Sequence, residues 1–183
     1  SAPSAPAAIP LEAPAGWDPV TFNTTRGLAG AIPASYHPSI TAADGVVKHL
    51  GKHLPYVPTD ASISAPDGDI AIMWGDPAKG YAKHPNAGRS EKNPEGHWYN
   101  WIRVRKATPG DAQEVESTFS DWPAVGEGDN GAYVAAGGGD VSAESGKNTV
   151  YLAALPSDVK PGDSVRIYAH CLTHGEYVDF VTV

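Results

Sequence analysis

The stretch Val165-Arg166-Ile167-Tyr168-Ala169-His170-Cys171-Leu172-Thr173-His174-Gly175 carries the clearest structural pattern in the chain. In an extended strand successive side chains point to opposite faces. Val165, Ile167, Ala169 and Cys171 therefore share one face, and Arg166, Tyr168 and His170 share the other. The apolar set marks the core side, and Cys171 leaves the strand on that side. His174 follows three residues later, beyond a turn that Gly175 helps to form. A Cys-x-x-His in this position can bring a thiolate and an imidazole to one metal ion. The spacing alone suits a small buried cysteine beside an unrelated histidine equally well.

Working outward, further short β-prone segments appear at Asp69–Trp74, Trp98–Arg105, Glu114–Phe119, Ala132–Ala136, Thr149–Leu155, Ser164–His170 and Tyr177–Val183. Pro, Gly and Asp cluster between them, as in Lys160-Pro161-Gly162-Asp163. Seven such segments predict an all-β fold, an immunoglobulin-like antiparallel β-sandwich with long loops. The longest loops cover residues 75–97 and 120–147, where function concentrates in a small domain. Thr41–Leu50 reads as a short helix with Val46, Val47 and Leu50 on one side, although Gly45 interrupts it. Residues 1–40 form an Ala/Pro-rich tail and an extended N-terminal arm, and residues 41–183 form the sandwich domain.

Composition agrees with this reading. The chain has 183 residues, enough for one domain with a real core, and its 20 Gly and 17 Pro argue for many turns rather than a helical bundle. No stretch reaches the roughly 20 apolar residues that a membrane-spanning helix needs, so no membrane insertion is expected. A formal charge of −8 disfavours general binding to nucleic acid or anionic lipid. Nine of the 13 Lys and Arg nevertheless lie between Lys48 and Lys106, against six acidic residues, which makes a basic zone able to attract a small anion. One cysteine excludes an internal disulfide. The opening Ser1-Ala2-Pro3-Ser4-Ala5-Pro6-Ala7-Ala8 reads as a spacer left by a removed signal peptide, which implies export; a tag remnant explains it as well.

Histidines stand at several structurally defined places. Lys52-His53-Leu54-Pro55 precedes a further strand-like segment, and Pro55 stiffens the backbone after His53. His84-Pro85-Asn86 opens a polar loop that closes at Glu95-Gly96-His97-Trp98, directly before a strand. His37, His49 and His170 lack such contexts and read as structural.

These motifs resemble the iron-site motifs of superoxide reductases, the family that includes neelaredoxins and the iron domain of desulfoferrodoxins. The resemblance is carried by Lys52-His53-Leu54-Pro55-Tyr56-Val57, His84-Pro85-Asn86, His97-Trp98-Tyr99-Asn100-Trp101-Ile102 and Cys171-Leu172-Thr173-His174-Gly175, in the family's order. It implies one mononuclear iron bound by His53, His84, His97 and His174 with Cys171 as axial thiolate. It also implies reduction of superoxide to hydrogen peroxide, Lys52 as the residue that attracts the anion and assists protonation, and an external electron donor. A homo-oligomer is compatible with the resemblance, but no residue pattern specifies one. Three departures stand out. Gly51 occupies the place of a family Glu that closes the sixth position, leaving that role empty or to Glu91 or Glu95. The His84–His97 loop is about twice the usual length. Leu172-Thr173 replaces an Asn-containing pair, which bears on the tuning of the thiolate.

Other classes compete. A cupredoxin-like copper protein shares the sandwich and the His/Cys ligands but usually adds a nearby Met, and the only Met here is Met73. A non-catalytic redox or sulfur-carrier sandwich and a secreted binding sandwich are the remaining alternatives. Trp98 and Trp101 are candidates to wall an iron site.

Overall fold

Alternating apolar residues make two antiparallel sheets that close on each other. The computed structural model describes residues 5–123, 133–135 and 140–183. Its strands are β1 (Pro55–Tyr56), β2 (Asp69–Trp74), β3 (Tyr99–Lys106), β4 (Glu114–Thr118), β5 (Tyr133–Ala135), β6 (Thr149–Ala154), β7 (Ser164–Cys171) and β8 (Gly175–Thr182). They form two four-stranded sheets, ordered β1-β2-β6-β5 and β4-β3-β7-β8, with every pairing antiparallel. Ile70, Ile72, Trp74 and Tyr151 from the first sheet meet Ile102, Val104, Ile167 and Ala169 from the second in one buried core. Burying each such side chain contributes about 1.5–3 kcal/mol before the entropy of ordering is subtracted.

The sandwich agrees with the expectation from sequence, and most boundaries move by a residue or two. Of the expected Ala132–Ala136 strand, Tyr133–Ala135 is observed, while Ala132 and Ala136 lie outside the described residues. The strand expected after His53 is present as the two-residue β1, in which Pro55 and Tyr56 pair with Trp74 and Met73 on β2. In β7, Val165, Ile167, Ala169 and Cys171 are all fully buried, as alternation requires.

The expected helix over Thr41–Leu50 is not formed as such. A short helical turn over His37–Ile40 ends before it, Gly45 N–H closes a turn on the Ala42 carbonyl (2.9 Å), and Val46–Leu50 follows as a wide π-turn closed by Gly51 N–H on the Val46 carbonyl. Leu50 is completely buried, whereas Val46 and Val47 are exposed. The reason lies at Gly45, which packs so closely under the Ser39 and Ile40 carbonyls that a Cβ would approach them at 2.4 and 2.7 Å. The chain folds back there instead of continuing one helix.

Residues 17–40 lie along the second sheet. Asp18 caps α1 (Pro19–Arg26) by accepting from Val20 N–H, and Pro19 starts it with a preset φ. Asn23 then pairs with the outer edge of β8 through both ends of its amide: Nδ2 donates to the Val178 carbonyl (2.7 Å), and Oδ1 accepts from Val178 N–H (2.9 Å). This covers an edge that would otherwise present unpaired backbone groups. Beyond it, Ile32, Tyr36 and Ile40, the last on α2 (His37–Ile40), join Leu50 and Tyr177 in a second buried cluster. That cluster places Tyr36 beside the histidines described next.

Candidate metal centre

Four separate pieces of backbone deliver the histidines and the cysteine. His53 ends a tight 3-10 turn, Gly51–His53, just before β1. His84 is tied to the end of β2 by its own N–H, which donates to the Trp74 carbonyl (3.1 Å). His97 is held against Ala87 by two reciprocal backbone hydrogen bonds of 2.8 and 2.9 Å, which pinch the long loop shut before β3 begins. Cys171 is the last residue of β7 and pairs with Gly175 across a three-residue hairpin loop that contains His174. Gly175 has φ +90°, and a Cβ there would lie 2.4 Å from the Ala31 carbonyl oxygen. A side chain would thus be both strained and blocked, and the loop that aims His174 back toward Cys171 depends on glycine.

The side chains named from sequence come together. Ligand atoms of His53, His97, Cys171 and His174 all lie within 4.8 Å of one another. His84 stands against this set, with its Nε2 3.6 Å from Cys171 Sγ and its ring 4.1 Å from that of His97. One ion at about 2.0–2.3 Å from nitrogen and sulfur donors separates opposite donors by about 4.4 Å, so this grouping can hold a metal ion. Adjacent donors would be about 3 Å apart on the same metrics, and His97 Nε2 lies 3.1 Å from His174 Nδ1.

The outer nitrogens explain which lone pairs face inward. His53 Nδ1 donates to the His49 carbonyl (2.8 Å), His84 Nδ1 to Asn86 Oδ1 (3.0 Å) and His97 Nδ1 to the Pro85 carbonyl (2.8 Å). Each acceptor fixes the proton on Nδ1 and leaves Nε2 as a bare lone pair. His53 Nε2 is buried with no hydrogen-bond partner among the described residues. Such a group costs about 1–3 kcal/mol when left unsatisfied, and a cation among the converging donors removes that cost.

Electrostatics favour neutral ligands. Burial pushes His53 and His84 well below the ordinary imidazole range, with further depression from neighbouring imidazoles and from Lys52. Burial also pushes His97 down to about 4 and His174 down to about 3. The Cys171 thiol is pushed up to about 12 by burial, against the pull of the His174 and Thr173 N–H groups. Those two N–H groups are the backbone donors that would stabilise a metal-bound thiolate. Lys52 is lowered from its ordinary value, first by burial, with Lys92 adding to the effect and Cys171 opposing it.

Several supporting residues escaped sequence reasoning. Tyr36 stacks on His174 with ring centroids 3.7 Å apart, and Tyr177 stacks on His53 at 4.5 Å. Neither tyrosine sits in a motif or at a regular spacing from the histidines. Asn86 is buried and serves four groups: it accepts from His84 Nδ1 and Tyr151 Oη, and donates to the His84 and Gly146 carbonyls. Its place in His84-Pro85-Asn86 was the one available signal.

Other expectations need correction. Trp98 is buried and donates to the Phe119 carbonyl, while Trp101 lies on the far face of β3, stacked on His170. Neither walls the site; Trp122 lines the cavity beside it. Gly51 admits no side chain, since a Cβ there would meet the Tyr81 ring at 2.4 Å. Glu91 and Glu95 are absent from the described cavity lining. The basic zone is dispersed: Lys48, Arg103 and Lys106 pair with Asp44, Glu116 and Asp163, while Lys52 and Lys92 face the cavity. Met73 lies in a separate apolar cluster with Ala71 and Val150. His37 bonds to arm carbonyls and His170 to Asn100, both away from the centre. His49 bonds to Tyr36 and reaches the cavity rim without joining the donor set.

No protein-family model and no curated protein matches the chain. Among solved structures, a variant of the superoxide reductase (neelaredoxin) from Archaeoglobus fulgidus in its reduced form is similar at 19% identity. That match covers 73% of this chain and 89% of that chain, with a TM-score of 0.34. A likeness of this size says nothing about chemistry, which rests on the side chains themselves.

Proposed function

We propose that this chain is a mononuclear non-haem iron protein of superoxide reductase type, which reduces superoxide to hydrogen peroxide with electrons from an external donor. One observation carries the reading: three imidazoles whose Nδ1 protons are engaged by oxygen acceptors turn bare Nε2 atoms toward the one cysteine and His174. His53, His84, His97, His174 and Cys171 would hold the metal. Ferrous iron, when bound, supplies the electron that takes superoxide to the peroxide level. Neutral imidazoles and one thiolate suit an ion that changes oxidation state, because they add a single negative charge. Lys52, beside His53 and on the cavity wall, attracts the anion and supplies a proton to the reduced oxygen.

The test is iron content per chain in the wild type and in Cys171→Ser, followed by superoxide consumption with a reductant present. One iron, lost in the variant, with superoxide consumed and no dioxygen evolved, is the expected result. Copper in place of iron would favour the electron-transfer alternative. Iron without superoxide consumption would favour a non-catalytic redox module.

A further inference from the structure

Beside the histidine cluster opens a cavity of about 730 Å³. A water-sized species takes up about 30 Å³ of liquid volume, so this space far exceeds what a diatomic ion requires. Half of the lining residues belong to the 85–97 loop, which makes the cavity a product of that long segment. The loop is ordered around its tip: Ser90 N–H donates to the Asn93 carbonyl (3.0 Å), and Asn93 N–H donates to Ser90 Oγ (3.1 Å). This closed turn presents Lys92 to the cavity that Lys52 also lines.

The charge balance of the wall is one-sided. Two ammonium groups line it, and no carboxylate does among the described residues. Lys52 and Lys92 make no ion pair among the described residues, unlike Lys48 and Lys106, which have carboxylate partners. The same wall carries neutral hydrogen-bonding side chains from Ser90, Asn93 and Ser145, with Trp122 as an apolar member. Ser145 and its neighbour Glu144 both have positive φ, +60° and +52°, a conformation that costs a non-glycine residue of order 1–3 kcal/mol. Asn86 pins this turn through the Gly146 carbonyl and orients His84 at the same time. The strained turn and the metal centre thus share one support.

We propose that the cavity is a binding site for a polyatomic oxyanion, a carboxylate or a phosphate, gripped between Lys92 and Lys52 next to the histidine cluster. Two ammonium groups without a carboxylate partner among the described residues, with hydroxyl and amide donors, form the usual recognition set for such groups. Lys92 is the specificity residue for this second ligand. The proposal reaches beyond superoxide reduction and does not require a bound metal.

The experiment is calorimetric titration of inorganic phosphate and, separately, acetate into iron-loaded and metal-free chain, with chloride as the ionic-strength control. Saturable binding of one or both with 1:1 stoichiometry is expected. Lys92→Gln should weaken it about tenfold or more, the loss of one charge-assisted hydrogen bond. Lys48→Gln, which alters an exposed lysine outside the lining, should change it less than about twofold, as remote surface charges do. Phosphate binding alone assigns a phosphate-type ligand, and acetate binding alone assigns a carboxylate-type ligand. No saturable binding, or equal weakening by the two substitutions, overturns the proposal. Anion binding by a chain that retains no iron would sink the metal reading and leave this one standing; iron retention without anion binding would do the reverse.

Discussion

His84 Nε2 lies 3.6 Å from Cys171 Sγ, although 87 residues separate them in the chain. The contact exists because His84 is tied to the end of β2 and Cys171 ends β7, on facing sheets. Replacing His84 by Gln keeps much of the buried volume but removes an inward imidazole. Iron retention should fall by more than the 10–100-fold typical of an outer-sphere change, while the visible absorption of a ferric thiolate persists. Competition with a chelator, followed optically, checks both. Undiminished retention would exclude His84 from the ligand set.

Asn86 is the support whose loss should be felt most widely. Asn86→Ala leaves His84 Nδ1, the Tyr151 hydroxyl and the Gly146 carbonyl without their present partner. Each unsatisfied buried group costs about 1–3 kcal/mol. Denaturant unfolding of the metal-free chain should show a loss of at least about 2 kcal/mol, and iron affinity should drop about 10–100-fold. A stability change below about 0.5 kcal/mol would mean that water replaces the amide at no cost.

Tyr36 offers a way to separate its ring from its hydroxyl. Tyr36→Phe removes only the contact to His49 Nδ1, at 3.2 Å, and should cost about 0.5–1.5 kcal/mol. Tyr36→Ala also strips the stacked cover from His174 and opens the cluster with Ile32, Ile40, Leu50 and Tyr177. About 3–5 kcal/mol should be lost there, together with tighter iron retention. Equal effects of the two substitutions would show that the ring stack contributes nothing.

Asp179 supplies the pH prediction. Burial raises its carboxyl above the ordinary value, even though Trp17 Nε1–H and Phe180 N–H both donate to Oδ1. With a folded pKa above the unfolded one, the folded state binds the proton more tightly. The associated stability is fully present below about pH 4, the unfolded carboxylate value, and is lost as pH rises through the raised folded value. Asp179→Asn keeps an Oδ1 acceptor and removes the buried charge. It should raise the melting temperature at pH 7, and the advantage should vanish below about pH 4. Thermal unfolding across pH 3–8 checks this; a lower melting temperature at pH 7 would show that the charge itself stabilises the arm.

Much of the sandwich was legible because strand alternation is local. Val165, Ile167, Ala169 and Cys171 declare one buried face without reference to any other segment, and all four are fully buried. The helix expected over Thr41–Leu50 failed for a reason no periodicity reveals: Gly45 lets the backbone fold back under the carbonyls of Ser39 and Ile40. Clustering of Lys and Arg along the chain also overstated the basic zone, since Lys48, Arg89, Arg103 and Lys106 found carboxylate partners. Trp101, a candidate to wall the site, stacks instead on His170 beyond a register shift between Tyr99 and Trp101, a bulge that alternation cannot foresee.

By itself the sequence determined the strand pattern, the chemistry of the β7–β8 turn, and the residue types able to bind a metal, because backbone sterics and side-chain identity act within a few residues. The tertiary structure decided where those donors meet and in which tautomer. His97 Nε2 and His174 Nδ1 lie 3.1 Å apart across 77 residues of chain, and that distance depends on how the pinched loop and the hairpin pack. Only folding brings the His49 carbonyl, Asn86 and the Pro85 carbonyl to the outer nitrogens, and Tyr36 and Tyr177 to the ring faces. Hydrogen bonds and stacking contacts have ranges of a few ångströms, so their partners are settled by packing rather than by order in the chain.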